Sequence, residues 1–189
     1  MTAPTAPPDR LTAACTRTLL TWTAPDDAQR RLRDHFVDWL AGRPHGWSRE
    51  CGHAHLTASS LVCRADGREV LLVLHGKVRR WLQTGGHIEP TDTTLERAAL
   101  REAEEETGLS GLRLLDGPTL LSAHRVPCRT ADWHYDVQFT VLADGDCDDP
   151  PGSPESLGIG WYRPDALPDP TDQTVRDLVA ACLARLPAR

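Results

Sequence analysis

Apolar and polar positions alternate along this chain in segments whose period changes, and those changes mark out its elements. The first eight residues, MTAPTAPP, hold three prolines and no apolar period, and residues 1–25 are expected to form a flexible N-terminal segment. From Asp26 to Ala41 the period becomes helical. Leu32, Phe36, Val37 and Leu40 make one stripe, Asp26 or Asp27 can cap the start, and Gly42 and Pro44 end it. This helix is expected to form an extension over residues 26–49 that packs on the main body. Two strands follow, Leu56–Arg64 (LTASSLVCR) and Glu69–His75 (EVLLVLH), joined by the turn residues Asp66 and Gly67. A strong helix is expected from about Thr94 to Thr107, then extended stretches near Leu112–Val126 and Trp133–Leu142. A loop rich in Asp, Gly and Pro at 143–158, a short strand IGWY and a terminal helix from about Thr171 to Leu186 complete the pattern. Strands on both sides of a central helix predict an α+β chain whose mixed sheet is flanked by helices, with residues 50–189 as one domain.

Composition narrows the function. The chain has 189 residues, 27 acidic against 21 basic side chains and a formal charge of −6. That balance disfavours sequence-blind binding to a nucleic-acid duplex, which needs a basic face to release counterions, but it does not exclude a small phosphate ligand. No apolar run reaches the length of a membrane span, and the start lacks a basic region followed by an apolar core. A cytoplasmic protein is expected. The six cysteines, scattered without a CxxC pair, are expected to be free thiols.

The chemistry concentrates between Gly85 and Leu109, GGHIEPTDTTLERAALREAEEETGL. With Glu102 at zero and about 100° per residue, Glu105 falls near −60°, Glu106 near +40° and Glu104 near 200°. Three carboxylates therefore share a face, while Leu100, Ala103 and Thr107 form a separate face for packing. Like charges spaced i,i+4, as in Glu102 and Glu106, repel. Arg101 can hold Glu105, four positions on, and a hard divalent cation would compensate the rest. The spacing of Thr93 and Glu96 predicts a capping box that starts the helix at Thr94, and Gly108 is placed to end it. Gly85 and Gly86 let the backbone approach an ion closely and offer a carbonyl oxygen as a further ligand. A solvated acidic face remains the alternative for EAEEE taken by itself.

This segment resembles the box of the Nudix hydrolases, G-x5-E-x7-R-E-U-x-E-E-x-G-U with U a bulky aliphatic, which matches here as Arg101-Glu102-Ala103-Glu104-Glu105-Glu106-Thr107-Gly108-Leu109. It departs in three places. Asp92 stands where the first Glu belongs, eight residues rather than seven separate it from Arg101, and Ala103 is small. The resemblance covers roughly residues 50 to 186. It implies a Nudix fold, a mixed sheet sandwiched between helices (α/β/α), here with the N-terminal helical extension. It also implies Mg2+-dependent cleavage of a diphosphate bond in a nucleoside diphosphate linked to another moiety, with Mn2+ as an alternative ion. Glu102, Glu105, Glu106 and the carbonyl of Gly85 or Gly86 would hold the metal, with Gly86 the stronger choice. Arg101 would orient a carboxylate. The general base in the family lies either on the box helix or in a late loop, so Glu105 and Glu155, the latter in SPESLGIGWY, are the candidates. Homodimers are frequent in the family. Nudix-fold modules that bind a nucleotide without turnover form the rival reading, and the complete REAEEETG favours catalysis. The isopentenyl diphosphate isomerases share the fold, but their box departs from this one.

Phosphate contacts are sought among Lys77, Arg79, Arg80 and Arg125, and His87 directly follows the glycines. In WHYDVQF, alternation sends His134, Asp136 and Gln138 to one face, where they could line a substrate cleft, and Tyr135, Val137 and Phe139 to the other. Cys51, His53 and His55 have strand-face spacing for zinc, but no second ligand pair follows at customary spacing, which disfavours such a site.

Overall fold

A computed structural model describes residues 9–125, 132–144 and 147–186. The expected frayed tail at 1–8, Cys128 and part of the 143–158 loop lie outside the described residues. The expected flexibility of residues 1–25 fails from residue 10 onward, because Arg10–Thr21 forms helix α1. Its threonines are weak helix formers and hide the signal, yet Leu11, Cys15 and Leu19 recur on one face and are buried. Asp9 supplies the cap. Its carboxylate accepts from Thr12 N at 2.6 Å and also holds His45 Nδ1 at 2.6 Å and Trp47 Nε1 at 2.9 Å, tying α1 to the segment after the next helix.

Helix α2, Asp27–Ala41, starts at Asp26, whose side chain accepts from Gln29 N at 2.8 Å. The chain then enters the sheet through β1 (Ala54–Arg64), β2 (Val70–His75), β3 (Trp81–Leu82) and β4 (Thr84–His87). Helix α3 (Leu95–Thr107) follows, then β5 (Arg113–Leu114), β6 (Leu120–Arg125), β7 (Trp133–Ala143), β8 (Ser156–Tyr162) and α4 (Gln173–Ala184). The expected strands and helices are all found, with the stretch near 112–126 broken into β5 and β6.

The sheet is mixed. Its centre is the parallel pair β1 and β7, in register from Ala54↔Trp133 to Arg64↔Ala143, and its other pairings are antiparallel. Each central strand divides its outer edge between two partners. β1 pairs with β4 along 57–60 and with β2 at 62–63, while β7 pairs with β6 along 133–138 and with β5 at 141–142. Helices cover both faces, so β1 is buried almost throughout, as strands between two helical layers are. On one face, Leu56, Ala58, Val137 and Phe139 pack against Leu95, Ala98 and Ala99 of α3 and against Leu19 and Phe36. On the other, Leu61, Cys63, Val70 and Leu72 meet Val175, Leu178, Val179 and Cys182 of α4. The result is the α/β/α sandwich expected from the sequence.

α2 docks through an aromatic contact and a strand-like one. Phe36 is fully buried, with its ring stacked 4.8 Å from that of Tyr135. The Gln29 amide donates to Leu121 O at 3.1 Å and accepts from Leu121 N at 2.7 Å, completing the outer edge of β6. Phe36→Ala should cost roughly 3–5 kcal/mol, read from urea unfolding. A loss below about 1 kcal/mol would mean that α2 is only loosely attached.

Candidate active site

The central helix is built by its ends. Thr94, rather than Thr93, is the cap, accepting from Arg97 N at 3.2 Å, and the helix begins at Leu95. Glu96 does not close a capping box: it accepts from Thr18 Oγ1 of α1 at 3.0 Å. A tertiary partner has taken the residue that the local pattern assigned to the cap. Gly108 ends the helix at φ 70°, with its N–H on Glu104 O at 2.8 Å. The buried face carries Ala98, Ala99, Ala103 and Thr107, and the small side chain of Ala103 lets α3 lie close on the sheet beside Val62 and Val141.

On the other face, Arg101 organises the carboxylates. Its Nη1 lies 3.0 Å from Glu102 Oε1 and 3.0 Å from Glu105 Oε2, and its Nη2 donates to His87 O at 2.9 Å. Asp92 completes the set as a two-pronged partner, with Nε–Oδ1 at 3.2 Å and Nη2–Oδ2 at 2.9 Å. The Asp92 side chain is only 6% exposed. Its Oδ2 also accepts from Glu89 N at 2.8 Å, which closes the turn before the helix. Asp92 thus braces Arg101, and the lengthened loop brings the shorter acid to the guanidinium.

The glycines fit against the carboxylates with no room to spare. Gly85 has φ 154° and donates its N–H to Glu106 Oε2 at 3.1 Å; a Cβ there would stand 2.3 Å from Ser59 Cβ and 2.6 Å from Ser59 Cα. A Cβ on Gly86 would stand 2.6 Å from the carboxylate of Glu102. Burial, partly offset by Arg101, raises the Glu102 carboxyl. Burial also pushes Glu106 up to about 7, against the hydrogen bond from Gly85 and with added repulsion from Glu102, Glu155 and Glu105. Crowded oxygen donors whose ionisation the surroundings oppose fit a hard divalent cation such as Mg2+, which takes oxygen ligands and relieves that repulsion.

The remaining expected residues separate. Glu155 is exposed in the turn before β8, near enough for its charge to act on Glu106. Arg79 is exposed in the turn after β2 with φ 53°. Arg80 pairs with Asp172 at 2.5 Å, and the Arg125 guanidinium lies over Trp133 at 5.5 Å. His87 and His134 come together away from the carboxylates, beside His55. Asp136 and Gln138 are both buried, so they do not form an open cleft wall. Asp136 accepts from Thr57 Oγ1 at 2.9 Å, Ser59 Oγ at 2.7 Å and Gln138 Nε2 at 3.1 Å.

A model of the NUDIX domain matches residues 53–182. The chain belongs to the Nudix family. Among curated proteins it is 29% identical over 116 residues to a Caenorhabditis elegans protein provisionally named nudix hydrolase 1, a match that covers 59% of this chain and 29% of that one. Among solved structures, a Nudix-family hydrolase from Clostridium perfringens has a TM-score of 0.56 at 23% identity, covering 70% of this chain and 98% of its own. A C. elegans Ap4A hydrolase has a TM-score of 0.53 at 17% identity, covering 68% and 95%. The Nudix domain of Shewanella oneidensis NrtR, complexed with ADP ribose, has 0.52 at 22%, covering 70% and 88%. At these identities the solved structures establish the Nudix fold. Among the described residues no helix is long and apolar enough to cross a membrane.

Proposed function

We propose that this Nudix protein is a Mg2+-dependent pyrophosphohydrolase that cleaves the diphosphate bond of a nucleoside diphosphate linked to another moiety. The observation that carries the reading is the complete carboxylate set, with Glu102 and Glu105 held by Arg101 and Glu106 held by the Gly85 N–H, beside Gly86. Two proteins of the same fold, an Ap4A hydrolase and a domain complexed with ADP ribose, support a nucleotide as substrate class.

Glu102, Glu105, Glu106 and the Gly86 carbonyl would hold Mg2+ or Mn2+. When bound, the ion supplies neutralisation of phosphoryl charge and a more acidic water. The chain's own part is positioning. Arg101, braced by Asp92, keeps Glu102 and Glu105 from swinging apart, because each is anchored to the same Nη1. Glu105, with its side chain 58% exposed, can take the proton of the attacking water, and Glu155 is the alternative base. Arg79 is exposed and available for a substrate phosphate.

The test is a panel of nucleoside triphosphates, dinucleoside polyphosphates, ADP-ribose, sugar nucleotides and prenyl diphosphates, assayed with Mg2+ and with EDTA. At least one member should yield phosphate-containing products with Mg2+ and none with EDTA. Tight binding of a nucleotide that is never turned over would make the protein a binding module instead.

A further inference from the structure

Away from the carboxylates, the sheet gathers three imidazoles. The parallel register sets His55 of β1 beside His134 of β7, and the antiparallel register pairs Thr57 with His87, leaving His87 of β4 diagonal to His55. Ring centroids are 4.8 Å apart for His55 and His134, 4.9 Å for His55 and His87, and 5.1 Å for His87 and His134. One nitrogen from each ring can be chosen so that the set lies within 4.8 Å of one another. Gly86 faces Glu102, and strand alternation turns the neighbouring His87 to the opposite side.

These rings lack what buried imidazoles normally have. His55 is fully buried, and neither of its nitrogens has a hydrogen-bond partner; the buried Nε2 atoms of His87 and His134 have none either. A buried polar atom without a partner costs about 1–3 kcal/mol. Several converging on one point form a donor set without an acceptor. Imidazole binds a metal through the ring-nitrogen lone pair that its neutral form presents.

We propose that His55, His87 and His134 form a second metal site, for a divalent transition-metal ion of the Zn2+ class, on the face of the sheet turned away from α3. Tetrahedral bonds of about 2.0–2.1 Å place nitrogens roughly 3.3 Å apart, and side-chain rotation on fixed strands closes the remaining gap. Three imidazoles leave the fourth position open for water or a ligand oxygen. Imidazole suits Zn2+, Co2+, Ni2+ and Cu2+, whereas Mg2+ prefers the oxygen donors of α3. The two sites thus differ in ligand chemistry, and this proposal does not depend on the hydrolase reading. The spacing of Cys51, His53 and His55 does not produce the site: His53 is exposed beside Asp132.

The test uses tag-free, chelator-stripped full chain in excess Mg2+, titrated with Co2+ and followed by visible absorption and calorimetry. One Co2+ should bind per chain, raise Tm, and be displaced by Zn2+. His87→Gln and His134→Gln, chosen because these rings are only partly buried, should each weaken Co2+ binding by at least ~100-fold, with folding in EDTA verified by circular dichroism. Glu106→Gln should bind Co2+ as the wild type does. Absence of Co2+ and Zn2+ binding to the wild type would overturn the site. So would binding that survives in a folded His87→Gln/His134→Gln chain, or that disappears with Glu106→Gln.

Discussion

Glu106→Gln should reduce Mg2+-dependent turnover of any substrate that the wild type hydrolyses by at least ~100-fold, because charge placed where the reaction needs it accounts for factors of that order. The same change should leave the metal-free fold at least as stable. Burial opposes the Glu106 charge and pushes the carboxyl up to about 7, so a neutral amide of the same shape removes a cost, and its oxygen can still accept from Gly85 N. Thermal melts in EDTA and in Mg2+ separate these effects. Wild-type Tm should rise with Mg2+, since a ligand held only by the folded state stabilises it. The variant should match or exceed the wild type in EDTA and gain less from Mg2+. Turnover within a few-fold of wild type would remove Glu106 from the proposed metal-binding set.

The second large effect separates two adjacent glycines. Gly85→Ala should destabilise the fold by about 2–6 kcal/mol, made up of roughly 1–3 for a side chain at positive φ and roughly 1–3 for overlap. In a chain of this size that is a Tm loss on the order of 10 °C. The overlap cannot relax cheaply, because the new methyl meets the Cα and Cβ of Ser59 on a central strand. The methyl of Gly86→Ala has the end of the Glu102 side chain as its nearest neighbour, which can swing aside. That variant should melt near the wild type yet lose most of its turnover, since Glu102 leaves Arg101 and its proposed ligand position. Equal Tm losses for the two variants would contradict this division.

Much of the architecture was legible because it is local. The Gly108 cap, the carboxylate face of α3, the Asp66-Gly67 turn and the period of α2 each depend on residues within a few positions of one another, and all appear as expected. Where the local pattern misled, a distant residue had intervened. Glu96 has capping spacing but bonds Thr18, 78 positions away. α1 was hidden by its threonines and is held through Asp9 to His45 and Trp47. Asp92 looked displaced by an inserted residue, yet the loop brings it onto Arg101.

By itself the sequence determined the carboxylate helix, its glycine approach and the family they point to, because a helix places residues three and four apart on one face regardless of what surrounds it. The tertiary structure alone decided that His55 stands with His87 and His134 rather than with Cys51 and His53. Strand alternation fixes only which face a side chain takes. Its neighbours there are set by register between strands far apart in the chain, and register follows from the packing of the whole sheet.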